Sequence, residues 1–261
     1  MAGADMAVRL DAGAPRDCSL QAGSQPVLRL GLQQRRPALL GSPALHRDHQ
    51  YVKRLQFVSL CTGQEDQHIS FISNAISASG ATPNQACQYS FPFYDVKSWL
   101  TLTQTIDGVG PNAYLGASGL LSNKQTLTYA ASILTVESRH NTWVRSAAQN
   151  EDGFPTPFEQ PLTVNQVYTL ASAFITSCPS SNAPLKAQAF PALTVSPNGT
   201  AQPGDTLTLT ANTTLPSSGL YAVFLANNAP VAVQTDGKSV QVPSQQAVQG
   251  QTVRLFWPMA V

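Results

Sequence analysis

Charge is scarce in this sequence. Asp, Glu, Lys and Arg make up 11% of its 261 residues, well under the usual share of about 25%. The polar surface must therefore come from Ser, Thr, Asn and Gln. The formal net charge is +1, which removes any electrostatic case for nucleic acid or an anionic membrane as partner. No run of about 18 apolar residues occurs, so no transmembrane span is expected. Met1 to Leu20 has no apolar stretch long enough for a signal peptide. Glutamate is absent before Glu65, and histidine occurs only four times.

What is present bounds the architecture. Hydrophobic residues reach 43%, enough for one medium domain with its own core plus a smaller one. Residues 1–49 stand apart. They hold Arg9, Arg16, Arg29, Arg35, Arg36 and Arg47 among Ala, Gly, Pro and Gln, without helical or strand periodicity. This segment reads as a disordered or wrongly assigned start.

Residues 50–190 read as helices. Leu55, Val58, Cys61, Glu65, His68 and Ile72 recur at three- and four-residue steps and share a face, and Gly80 ends that helix. Asp95 can cap a second segment running to about 121, with Trp99, Leu102, Ile106, Val109, Ala113 and Leu120 as apolar positions. Gly108, Gly110 and Pro111 predict a kink in it. Thr126, Ala130, Ile133, Glu137, His140 and Val144 form the inward stripe of a helix over 124–148, and Thr163–Ser177 reads as one more short helix.

From 191 onward the period changes to two. Thr206–Thr210, Tyr221–Leu225, Val240–Val242 and Thr252–Trp257 read as strands. Pro203-Gly204-Asp205 and Asp236-Gly237 mark turns between them. The fold class expected is mainly α, a helical bundle followed by a small antiparallel β module.

The chemistry concentrates in two places. Both histidines beyond residue 50 follow a glutamate by three positions: Glu65-Asp-Gln-His68 and Glu137-Ser-Arg-His140. Residues three apart project from one helical face, so each couple can offer a carboxylate and an imidazole to one cation. Two such couples, with bridging carboxylates from two further helices, build the dinuclear sites of di-iron carboxylate bundles. The donor types suit iron, manganese or zinc. Asp107 is the candidate bridging carboxylate of the intervening helix, with a local cap at Gly108 as its alternative role. The fourth carboxylate should come from a helix before residue 50, where no Glu occurs, so the site reads as incomplete. The alternative for each couple is a surface Glu and His making a local hydrogen bond.

These runs resemble the fungal ferritin-like family of Rds-type stress-response and late sexual development proteins. The resemblance rests on Glu65-Asp-Gln-His68 with Phe71, Ala113-Tyr-Leu-Gly-Ala117, and Ile133-Leu-Thr-Val-Glu-Ser-Arg-His140. It continues through Phe154-Pro-Thr-Pro-Phe158, Asn165-Gln-Val-Tyr168, Ser177-Cys-Pro-Ser-Ser-Asn182 and Ala189-Phe-Pro-Ala-Leu193. It implies a ferritin-like bundle, a non-heme dinuclear iron or manganese centre on Glu65, His68, Asp107, Glu137 and His140, and an extracellular or cell-wall location. It also implies that Cys87 pairs with Cys178. The family's first helix has no counterpart here, and its usual third-helix Glu is Asp107. Asn198 and Asn212 open glycosylation sequons.

Two functions compete at this stage. One is a metal-binding stress or development protein. The other is a non-catalytic extracellular or cell-wall scaffold with a degenerate metal site, whose β module contacts glycan. Loss of one bundle helix would expose apolar stripes, which makes a homodimer a further expectation.

Overall fold

The structure is a computed structural model that describes residues 49–197, 201–216, 218–243 and 253–258, with the backbone alone considered at 49–59, 96 and 253–258. The expectations for residues 1–48, for an absent first helix and for Asn198 lie outside these residues. The chain divides into two compact units. Among the described residues, one unit comprises those up to Gly153 together with Leu162–Gln188, and the other comprises Phe154–Pro161 and those from Ala189 onward.

The first unit is helical. Helix α1 runs His49–Ala78. Its buried positions Cys61, Glu65, Ile72 and Ile76 step by four, seven and four residues, so one stripe faces the core. The helix ends on Gly80, whose φ of 82° lies in the left-handed region. Gly80 N–H donates to Ser77 O and Ala81 N–H to Ile76 O, the paired bonds of a Schellman stop. Ala81 then packs on the cluster of Ile72, Ile76, Tyr114 and Ile133.

Helix α2 spans Val96–Asp107 and starts at Asp95, whose carboxylate accepts from Ser98 N–H at 2.8 Å while Asp95 N–H donates back to Ser98 Oγ. This capping box satisfies two donors that the first turn would otherwise leave open. Helix α3, Val109–Ser118, follows across Gly108. Pro111 lacks the N–H that would reach the carbonyl of Asp107, which interrupts the helical ladder here. The predicted kink falls at Gly108, whose φ and ψ stay in the right-handed helical region between the two helices. Leu121 is buried and Leu120 is 44% exposed, which corrects the placing of Leu120 on the apolar face: the helix has already ended at Ser118.

Helix α4, Lys124–Trp143, is capped by Asn123, which accepts from Gln125 and Thr126 N–H. It continues into a π-helical turn at Val144–Ala148. Helix α5 covers Val164–Ser172 under a capping box of Thr163 and Gln166. It is shorter than the sequence predicts, because Ile175–Ser177 forms strand β2 against β1, Gln88–Tyr89. Long-range pairing overrides the helical reading here, and the Cys87–Cys178 disulfide closes the same junction.

The second unit, among its described residues, is β. Strands β3 (Leu193–Ser196), β4 (Thr206–Ala211) and β7 (Ser239–Gln241) form one antiparallel sheet in the order β3-β4-β7. Strands β5 (Leu220–Leu225), β6 (Val231–Gln234) and β8 (Val253–Pro258) form the other, in the order β6-β5-β8. Leu207 and Leu209 are buried while Thr206, Thr208 and Thr210 are exposed, the alternation of a strand with one wet face. Leu207, Leu209 and Val240 from one sheet join Ala222 and Phe224 from the other in a shared core. Strands β3 and β6 were not read from the sequence. Among the described residues, the first unit carries the helices expected of a mainly α fold and the second carries small antiparallel sheets.

Candidate metal centre

The buried stripes of α1 and α4 carry an unusual cargo for a core. Glu65 and Glu137 are each 1% exposed and His140 is 4% exposed. Burying a carboxylate is costly unless it is partnered. The partners are the two histidines. Glu65 divides its oxygens between them: Oε2 lies 3.3 Å from His68 Nδ1, and Oε1 lies 3.3 Å from His140 Nδ1. Glu137 Oε1 sits 3.6 Å from the same His68 nitrogen. The two Glu-x-x-His couples therefore converge, with Glu65 central to both.

Outer contacts orient this set. Gln64 Oε1 is 2.7 Å from His140 Nε2. With Gln64 accepting, the ring donates from Nε2 and its Nδ1 is turned toward Glu65. An acceptor on the remote nitrogen of an imidazole is the usual way a ligand histidine is fixed, and here the side-chain amide of Gln64 takes that place. Gly110 of α3 supplies room on the other side: a Cβ there would lie 2.7 Å from Glu137 Oε2. The carboxylate thus rests against bare backbone.

His68 is the most perturbed group. Burial pulls its pKa down, but hydrogen bonds and charges from Glu137 and Glu65 outweigh that and raise it from 6.5 to about 9. Between two carboxylates the imidazolium is the favoured form at neutral pH. The positive charge held there occupies the position a metal cation would take.

The spacing tests whether a metal suits these residues. Two ligands each about 2.1 Å from a common ion sit about 3.0–3.4 Å apart at octahedral to tetrahedral angles. The nitrogen–oxygen separations of 3.3, 3.3 and 3.6 Å fall at or just beyond that range. Donor atoms of Glu65, His68 and Glu137 all lie within 4.8 Å of one another, as do those of Cys61, Glu65 and His140. Cys61 is nonetheless disulfide-bonded, so it offers no thiolate. That leaves Glu65, His68 and Glu137 as one donor group, with His140 beside it on the other oxygen of Glu65.

Asp107 is buried at the end of α2, 3% exposed, but belongs to neither of these donor groups. Three residues further on, the backbone of Gly110 abuts Glu137. Sequence reading missed Gly110 and Gln64. Gly110 registers in the sequence only as a helix breaker, and Gln64 is one amide among many. Cys87 and Cys178 are bonded, with Cα atoms 4.2 Å apart. Asn212 is exposed just beyond β4.

The helical part is similar in sequence to known proteins. Residues 47–150 match the ferritin-like domain family. A stretch of 148 residues, 56% of this chain, is 29% identical to Protein rds1 of Schizosaccharomyces pombe. The match spans only 35% of that protein's length. Among the described residues no helix is long and apolar enough to cross a membrane. Over residues 47–150 the helical part of this chain is similar to ferritin-like domains, and a wider stretch is similar to a fungal rds1 protein.

Proposed function

We propose that the helical unit binds a non-heme metal ion, iron or manganese, through Glu65, His68, Glu137 and His140, in a stress- or development-associated protein. The observation that carries this reading is the placement of Glu65, whose two oxygens each face a different histidine at 3.3 Å. A divalent cation at that point would replace the proton on His68 and neutralise two buried carboxylates at once. Glu65 and Glu137 bring the negative charge, the two Nδ1 atoms bring soft-borderline donors, and Gln64 holds His140 in register. Bound iron with open positions would supply oxygen or peroxide chemistry. Glu65, His68 and Glu137 account for one ion, with His140 on the other oxygen of Glu65, and a second ion requires a further carboxylate, for which Asp107 is the candidate on α2.

The test is metal analysis of the full chain after anaerobic reconstitution with Fe(II), Mn(II) or Zn(II). Stoichiometric iron or manganese in the parent protein is expected, with loss in Glu65→Gln and in the His68→Ala, His140→Ala double variant. Absence of stoichiometric metal from the folded parent protein would overturn the proposal.

The second reading is an extracellular scaffold whose β unit contacts glycan. The exposed threonines of β4 and the exposed Asn212 favour it, and the bonded cysteines suit an oxidising compartment. A glycosidase-sensitive mass shift on the secreted protein, removed by Asn212→Gln, would support it. Metal analysis decides between the two readings for the bundle.

A further inference from the structure

Beside the carboxylate–imidazole cluster, the same unit holds a partly open cavity of about 320 Å³. Its walls come from α1, α2, α3, α4 and α5, and no charged side chain lines it. A folded interior normally packs such room shut. Here small side chains keep it open: Ala113 and Ala117 on α3, Ala130 on α4 and Ala75 on α1 all face it, where Leu or Ile would fill it. At its edge Phe71 and Tyr129 lie with ring centroids 4.7 Å apart. Both line the cavity and both remain partly open to solvent, at 40% and 43%. Gly110 belongs to its wall and also abuts Glu137, so the cavity and the proposed metal centre share one backbone segment.

We propose that this cavity binds an uncharged, hydrocarbon-rich small molecule, with the Phe71–Tyr129 pair at its entrance. The volume is that of a small-ligand pocket. The lining decides the class. A carboxylate or ammonium placed there would lose its hydration and meet no opposite charge, whereas alkyl or aromatic carbon would meet only carbon and a few hydroxyls. The inference stands apart from the metal reading, and its test separates the two.

The test uses the full chain and the neutral fluorescent probe N-phenyl-1-naphthylamine. One saturable site per chain is expected. 1-Decanol should displace the probe at least about tenfold more effectively than decanoate, because only the latter carries a charge into the cavity. Ala113→Leu and Ala130→Leu, on different helices, should each weaken probe binding about tenfold or more with unchanged far-UV circular dichroism. If one of them fails to fold, the other decides. Glu65→Gln should remove metal and leave probe binding intact. No saturable binding, or binding that both leucine variants leave unchanged, would overturn the proposal. Equal displacement by decanoate would overturn the assigned ligand class.

Discussion

The α-carbon of Gly110 rests against the carboxylate of Glu137, so closely that a methyl group in its place would lie 2.7 Å from Oε2. The contact explains why a residue that weakens helices stands inside α3. The atom in the way is the end of a side chain, which can move. Gly110→Ala should therefore leave the fold standing, since the better helix propensity of Ala, worth about 1 kcal/mol, offsets the crowding. The displaced carboxylate should lower metal affinity by roughly 10–100-fold, the usual effect of disturbing what supports a ligand. Thermal unfolding and metal titration of the same variant check both halves.

Gly116 gives the contrasting case. A Cβ there would overlap the carbonyl oxygen of Leu162, and backbone cannot swing aside. Gly116→Ala should destabilise the helical unit by about 1–3 kcal/mol or more, seen as a lowered urea midpoint. An unchanged midpoint would mean that α3 and the start of α5 are not in this contact.

Gln64 acts at one remove. It holds Nε2 of His140 at 2.7 Å, and its side chain lies on the exposed side of α1. Gln64→Ala should cost little stability yet weaken metal binding roughly tenfold. Gln64→Glu, which keeps an acceptor, should retain most of the affinity.

The pH dependence follows from His68. Its pKa in the metal-free fold is about 9, against 6.5 in a free chain. A raised folded pKa means the imidazolium contributes stability that is fully present below about pH 6.5 and is lost as pH rises through about 9. Metal needs the neutral ring, so binding at pH 7 must expel that proton. The metal-free protein should lose stability between pH 6.5 and 9 while metal affinity rises over the same window. Both trends should flatten in His68→Gln. A metal affinity independent of pH would exclude His68 as a ligand.

The Cys87–Cys178 bond closes a loop of 91 residues. Loop-closure entropy of that size corresponds to roughly 4–5 kcal/mol. The Cys87→Ser, Cys178→Ser double variant should melt roughly 10 °C lower or more, and the β1–β2 pairing beside the bond should lose hydrogen-exchange protection first. Equal melting temperatures for the oxidised and double-variant proteins would refute this.

Much of the helical unit was legible in the sequence because its signals are local. Asp95 caps within three residues, Gly80 stops α1 at the next turn, and the Glu-x-x-His spacing puts both donors on one face wherever the helix goes. Chain-local geometry decides each of these. The end of α5 was misread because Ile175–Ser177 answers to a distant partner strand, Gln88 pairing with Ser177 and Tyr89 with Ile175, a separation nearly the length of the disulfide loop. Strands β3 and β6 escaped notice for the same reason: each is short, and pairing with β4 or β5 makes it a strand.

The sequence by itself determined that two carboxylate–imidazole couples would exist, each on the apolar face of its own helix. Only the tertiary structure decided that Glu65 would serve both histidines, that Gly110 would make room for Glu137, and that Asp107 would stand outside the donor groups. Spacing along a helix specifies which way a side chain points within one element. Which oxygen meets which nitrogen depends on how separate helices pack, and that is set by side chains far apart in the chain.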